Sequence, residues 1–157
     1  MKLLREYIRE LLNERLVDLT DMEDPNEKLQ SQFDAFMTEY ESLSERNPIG
    51  APGDRYWYMG KQGEAHCIVI TNMRPWDGHI HFSSISTAPP DVCEGKGYAS
   101  KVMNQLLELA DKHGVPMSLD PKPFGKKTLG VKELKSWYRR AGFKPSKRSS
   151  KWKRPAQ

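Results

Sequence analysis

The run Glu94-Gly95-Lys96-Gly97-Tyr98-Ala99, leading into residues 100–113, constrains this chain more than any other stretch. A polar, glycine-punctuated loop passes directly into a segment where Val102, Leu106, Leu109 and Ala110 recur at helical spacing. Met103 and Leu107 widen the apolar stripe, while Lys101, Gln105, Glu108 and Lys112 occupy the other side. Gly114 supplies a stop of the kind found just past helix ends. The first turn of a helix carries amides without an intrahelical partner and the positive end of the dipole. Glycines immediately ahead of that turn let an anion approach the backbone. The stretch predicts an anion cradle at the start of an amphipathic helix, and the remainder of the chain must say which anion.

Length allows one domain, or one domain with a helical extension: 157 residues bury a real core without staples. Two cysteines, Cys67 and Cys93, are too few for a disulfide scaffold. No signal peptide and no apolar run of about 18 residues is present. The expectation is a soluble, cytoplasmic protein with reduced thiols, Cys67 being a small buried hydrophobe. The net charge of +4 conceals a gradient. Residues 1–46 hold six basic against twelve acidic side chains, whereas thirteen Lys and Arg follow Asp120 with Glu133 as the one acid. Head and tail can attract each other, or the tail can meet a polyanion.

Upstream, Leu3, Leu4, Tyr7, Ile8, Leu11, Leu12 and Leu16 form one helical stripe opposite Arg5, Glu6, Arg9, Glu10 and Glu14. After an acidic stretch from Asp18 to Pro25, Leu29, Phe33, Phe36, Tyr40 and Leu43 predict a second helix over about residues 26–45. Both stripes need a partner surface. Packing on a sheet is the plain expectation, with an oligomer or carrier contact, or a detachable targeting or docking peptide, as alternatives. Asn47 to Gly53 is a Pro/Gly linker dividing residues 1–46 from 47–157. Strand-like runs at 55–59, 65–73 and 79–86, with turns at Gly60 to Gly63 and Pro75 to Gly78, predict an antiparallel meander. Thr87 to Asp91 ends the third run ahead of the glycine loop. Val115 to Leu119 predicts a further strand, stopped at Asp120-Pro121, and residues 121–130 form an aperiodic loop. A helix over Val131 to Ala141 carries Leu134, Trp137 and Tyr138 and is closed by Gly142. Phe143 starts a last strand or tail, and the basic run 144–154 contains Trp152. The order α-α-β-β-β-α-β-α-(β) is a mixed α/β (α+β) layout.

That order, with the loop at 94–99, resembles the GNAT superfamily of N-acetyltransferases, which use acetyl-coenzyme A. The family signature is Arg or Gln, two residues of any kind, Gly, any residue, then Gly or Ala, between a strand and a helix. It stands here as Glu94-Gly95-Lys96-Gly97-Tyr98-Ala99. Leu134 to Phe143, with Trp137-Tyr138 and Gly142-Phe143, is similar to the family's helix ending in an aromatic-Tyr pair followed by Gly-Phe. The resemblance covers roughly residues 55–145 and implies a mostly antiparallel sheet flanked by helices. It departs at Glu94, where a carboxylate replaces Arg or Gln, and at the N-terminus, where no clear strand precedes the two helices although the family normally begins with one. A helical replacement and an appended segment are both open.

The resemblance implies a pyrophosphate held on backbone amides of Gly95, Lys96, Gly97, Tyr98, Ala99 and Ser100, and a pantetheine arm paired with the strand end at Ser86, Thr87 and Ala88. Tyr138 matches the tyrosine that many members use as general acid on the leaving thiolate, a role that suits a phenol of pKa near 10. Tyr138 packing beside Trp137 without chemistry is the alternative. For a base, His79 and His81 share one strand face, and neutral imidazole suits the task near pH 7. Half-exposed sheet positions with no chemistry are the alternative for both. Asp120, at the end of the strand after the central helix, and Glu64, in a turn, are further candidates. No third ligand accompanies the two histidines at suitable spacing, so no metal is expected.

The implied function is direct acetyl transfer from acetyl-CoA to a primary amine of a small molecule, peptide or protein. Two other readings stay open: a GNAT-fold binding module that has lost catalysis, and a nucleic acid or acidic protein held by the basic C-terminal region with Trp137 and Trp152. A solvated basic tail is the plain alternative to the last. Homodimerisation and the identity of the acceptor are open.

Overall fold

The computed structural model describes residues 4–9, 24–46, 49–121, 130–147 and 149–157. Residues 4–9 are helical, within the first predicted helix. The rest of that helix, Asn47-Pro48 of the linker and residues 122–129 of the aperiodic loop lie outside the described residues. The chain divides into two compact units, residues 1–31 and 32–157. The whole sheet belongs to the second.

Helix α1 (Pro25–Leu43) is followed by β1 (Glu45–Arg46), β2 (Asp54–Gln62), β3 (Ala65–Trp76), β4 (His79–Ala88) and the one-turn α2 (Pro90–Cys93). Then come α3 (Tyr98–His113), β5 (Met117–Leu119), α4 (Val131–Arg140), β6 (Lys144–Pro145) and β7 (Trp152–Arg154). The strands form one seven-stranded sheet in the order β1-β2-β3-β4-β5-β7-β6. Every pairing is antiparallel except β4 with β5. The mixed α/β class expected from the element order is therefore the class adopted.

Sequence period explains which face is covered. In β3, Cys67, Val69, Thr71 and Met73 are buried, while the intervening Ile68, Ile70 and Asn72 are only partly so. Helix α1 meets the buried face through Phe33, Phe36 and Tyr40. Tyr40 Oη and Thr71 Oγ1 share a 2.7 Å hydrogen bond, and Trp57 Nε1 donates to the same oxygen at 3.1 Å. Full burial of such side chains contributes about 1.5–3 kcal/mol each. Leu43, at the end of the stripe, is exposed. All six apolar residues predicted for the central helix, Val102, Met103, Leu106, Leu107, Leu109 and Ala110, are buried in α3. Gly114 closes it in the left-handed region, its amide bonding the carbonyls of Ala110 and Asp111. Glu39 of α1 accepts from Lys112 and from His113 at the end of α3.

Several elements depart from expectation. Strand β2 continues through Gly60 to Gln62 by way of a bulge between Tyr58 and Gly60, and β3 runs through Pro75-Trp76, so the two turns tighten to Gly63-Glu64 and Asp77-Gly78. The basic run is not a solvated tail. Its strand β7 inserts between β5 and β6, burying Trp152 and Arg154. Arg154 donates to both carboxylate oxygens of Asp111 on α3, at 2.8 and 3.0 Å, and to the Ala141 carbonyl at 3.0 Å. The expectation of reduced thiols is also corrected. Helix α2 brings Cys93 back to β3, where Cys67 and Cys93 form a disulfide with Cα atoms 5.6 Å apart. No helix among the described residues is long and apolar enough to cross a membrane.

Candidate functional site

The site begins where two strands part. Parallel pairing of β4 with β5 covers only Ile80, His81 and Phe82, matched to Met117, Ser118 and Leu119. Strand β4 runs on to Ala88, still paired with β3 on its other side. Among the described residues, no strand pairs with residues 83–88 on the side β5 has left. An unpaired strand edge offers backbone amides and carbonyls to a ligand, and here the edge opens into a cavity of about 730 Å³. That volume falls within the range of sites for small molecules and cofactors.

Three elements wall the cavity. Strand β4 contributes Ile85, Ser86 and Thr87; the glycine loop and first turn of α3 contribute Glu94, Gly95, Gly97, Tyr98, Ala99 and Ser100; helix α4 contributes Lys132, Leu134, Trp137, Tyr138 and Arg140 among others. Of the residues singled out for a cofactor, Ser86, Thr87, Gly95, Gly97, Tyr98, Ala99 and Ser100 are brought together, and Tyr138 joins them. Ala88 and Lys96 are not part of the wall.

The loop conformation requires its glycines. Gly95 and Gly97 both have φ of +80°, a region costly for residues with a Cβ. The first bond within α3 runs from the Lys101 amide to the Gly97 carbonyl, 3.0 Å. The amides of Tyr98, Ala99 and Ser100 thus have no intrahelical partner, and no side chain caps the turn. The loop is fixed from both flanks: Gln62 of β2 donates to Tyr98 Oη at 2.6 Å, and Trp137 Nε1 of α4 donates to Ser100 Oγ at 3.1 Å. Charged lining residues balance, with Lys132 and Arg140 against Glu94 and Glu133. Attraction for an anion therefore rests on the amides and the helix dipole rather than on side-chain charge.

Tyr138 is almost fully buried, its ring 5.0 Å from that of Trp137 and edge-on to Phe143 at 6.1 Å. Burial pushes its phenol up to about 12, so the proton stays on oxygen across the physiological range. The group is a hydrogen-bond donor in the cavity wall.

His81 and Asp120 lie outside that wall. His81 is buried, shares a 3.1 Å hydrogen bond between its Nδ1 and Ser118 Oγ, and has its ring 5.9 Å from that of Trp76. Burial, with the nearby Lys151 and Arg74 cations, lowers its pKa against the opposing pull of Asp120, so the ring is neutral at pH 7. Asp120 accepts from Ser150 Oγ at 3.4 Å. The two are neighbours at the point where β4 and β5 part, one residue from the last pair, Phe82–Leu119. His79 bonds the Asp77 carbonyl through Nδ1 at 2.9 Å, and Glu64 sits exposed in the β2–β3 turn. Among the described residues no group of three or more His, Cys, Asp or Glu could hold a metal ion.

Sequence reasoning missed Lys132 and Arg140 as cavity residues. Both sit on the polar side of an amphipathic helix, where a cation is unremarkable until the fold turns that side toward a ligand site. No known protein-family model matches this chain, and no curated protein matches it.

Proposed function

We propose that the chain is a GNAT-type N-acetyltransferase that binds acetyl-CoA in the cavity between β4, α3 and α4 and transfers the acetyl group to a primary amine. The observation that carries this reading is the parting of β4 from β5. It leaves a free strand edge, a glycine-opened helix N-terminus and a buried phenol lining one cavity.

Each part of the wall suits a part of that molecule. The amides of Tyr98, Ala99 and Ser100 suit a pyrophosphate, with Lys132 and Arg140 available to further phosphate oxygens. The edge at Ser86 and Thr87 offers peptide groups to the two amides of the pantetheine arm, as strand addition would. When bound, acetyl-CoA supplies an acyl carbonyl joined to a sulfur leaving group. In the transfer, a bond forms from the amine nitrogen to the carbonyl carbon and the carbon–sulfur bond breaks. One proton leaves the nitrogen and one reaches the sulfur. Tyr138 supplies the second, its proton being held on oxygen at neutral pH, and the phenolate left behind regains a proton from solvent as the thiol departs. His81, neutral and beside the parting, is placed to receive the first through solvent.

Calorimetry with acetyl-CoA and CoA, followed by a thiol-release assay across amines and peptides, tests the reading. Absence of binding at millimolar ligand would overturn it. A second reading, a cofactor-binding module without turnover, draws on the position of His81 and Asp120 outside the cavity wall. Tight binding with no thiol release for any amine would favour it.

A further inference from the structure

The sheet carries a row of cations that neither its core nor its cavity uses. Arg74 of β3 is paired with His81, His81 with Ser118, Ser118 with Lys153 of β7, and Lys153 with Lys144 of β6. Directly paired residues point to the same face of a sheet. The hydrogen bond between His81 and Ser118 joins the middle of the row. Four strand spacings make it about 19 Å long. Arg74 and Lys144 are exposed and Lys153 is half-exposed, while His81 and Ser118 between them are buried, so the row meets solvent at its two ends. Among the described residues none of the three has a carboxylate partner, while Lys153 and Lys144 oppose each other directly, an arrangement that costs the sheet stability. Lys151 adds a fourth cation beside the row, its Nζ 3.0 Å from the centre of the Trp76 ring. Asp120 sets a carboxylate within this field, next to His81 at the strand parting.

We infer that this row is the acceptor-binding surface and that the acceptor is an amine on an acidic peptide segment. The inference rests on the acetyltransferase reading of the cavity. An extended peptide of about six residues spans the distance from Arg74 to Lys153 and Lys144, its same-side carboxylates about 7 Å apart and able to reach the exposed cations at the two ends. Asp120 attracts the ammonium to the parting, where His81 is adjacent. The gap between β4 and β5 there connects the row to the other face of the sheet, on which the cavity begins three residues further along β4, at Ile85. A single-stranded nucleic acid fits less well. Lys151 occupies a face of Trp76, which removes a stacking platform. Nucleic-acid bases also lack the aliphatic amine that the transfer needs.

The test uses the full chain and C-terminally labelled peptides, each with one free amine, that differ only in carrying Asp/Glu or Asn/Gln. Fluorescence anisotropy should show the acidic peptide binding about tenfold more tightly at low salt, and the preference should vanish in the triple variant R74Q/K144Q/K153Q. These side chains support no core and Lys144 and Lys153 repel each other, so the variant should keep or slightly raise its Tm and keep its CoA binding by calorimetry. Equal binding of the two peptides, a preference retained in the triple variant, or tighter binding of oligodeoxythymidine than of the acidic peptide would each overturn the proposal. If CoA binds and no acidic preference exists, this inference alone falls. If CoA does not bind, the cavity reading falls and the acceptor role with it.

Discussion

Replacing Arg154 with Met asks whether the basic C-terminal run is structural. Met keeps most of the apolar stem and removes the guanidinium, which is 5% exposed and donates to Asp111 Oδ1, Asp111 Oδ2 and the Ala141 carbonyl. Hydrogen bonds to charged groups contribute about 1.5–3 kcal/mol each, but paired bonds are not additive. Asp111, with a side chain 29% exposed, partly rehydrates once its partner is gone. The net expectation is a loss of about 2–3 kcal/mol, and in a chain of this size a Tm lower by about 4–12 °C. The loss should depend on pH. Bonding to Arg154 holds the Asp111 carboxyl below its ordinary value, so the pair's stabilisation is fully present above the unfolded pKa and is lost as pH falls through the folded one. The difference between the thermal melts of wild type and R154M should therefore be full at pH 7 and shrink as pH falls below the ordinary carboxylate range. In a double-mutant cycle, D111N should add little to R154M. A solvated tail would lose no more than about 0.5 kcal/mol at any pH, and that result would refute the placement of β7.

Gly97→Ala forces a Cβ into the left-handed region, where nothing lies within 4 Å to clash, so strain alone sets the cost at about 1–2 kcal/mol. Gly97→Asn should cost less because Asn tolerates that region, and equal melts for all three proteins would contradict the loop geometry. Tyr138→Phe should lower kcat about 100-fold or more with little change in KM, measured by thiol release. Since the phenol is raised to about 12, its donor form persists as pH rises and is lost only near that value, so no alkaline limb in kcat below about pH 11 should belong to Tyr138. Cys67 and Cys93 close a loop of sequence separation 26, so C67A/C93A should be destabilised by about 3.5 kcal/mol on the chain-entropy account. Thiol titration of the untreated, denatured protein should find none, and two free thiols would dismiss the link.

Long periodic segments were legible in the sequence because their period is a property of neighbours. All six stripe residues of α3 are buried, and Phe33, Phe36 and Tyr40 face the core as their spacing predicts. What the sequence hid depends on partners far along the chain. Trp152-Lys153-Arg154 alternates as a strand should, yet a basic strand reads as a tail until Asp111, 43 residues away, supplies the counter-charge. The Cys67–Cys93 link was hidden for the same reason: nothing local shows that α2 folds back on β3. At the site, the glycine loop was visible because its requirement is local. The parting of β4 and β5, the adjacency of His81 and Ser118 and the cavity-facing Lys132 and Arg140 follow from register, which no single stretch encodes.

The parting nonetheless has a cause that can be traced to residues. Strand β5 is three residues long because Asp120-Pro121 follows it, and proline has no amide to extend the ladder. Strand β4 does not stop there, since β3 matches it as far as Ala88. A two-sided mismatch in strand length therefore forces an unpaired edge into the interior of the sheet rather than to its rim. Left bare, such an edge is a liability for aggregation. Here Trp137 and Tyr138 of α4 and the first turn of α3 enclose it, with Trp137 Nε1 bonded to Ser100 Oγ to hold the two helices across the gap. Among the described residues, the pairing side that β5 leaves is free for a slender partner bearing peptide-like groups. The acetyl-CoA proposed above, with two amides in an extended arm and a pyrophosphate at its far end, would meet that edge and the α3 amides together.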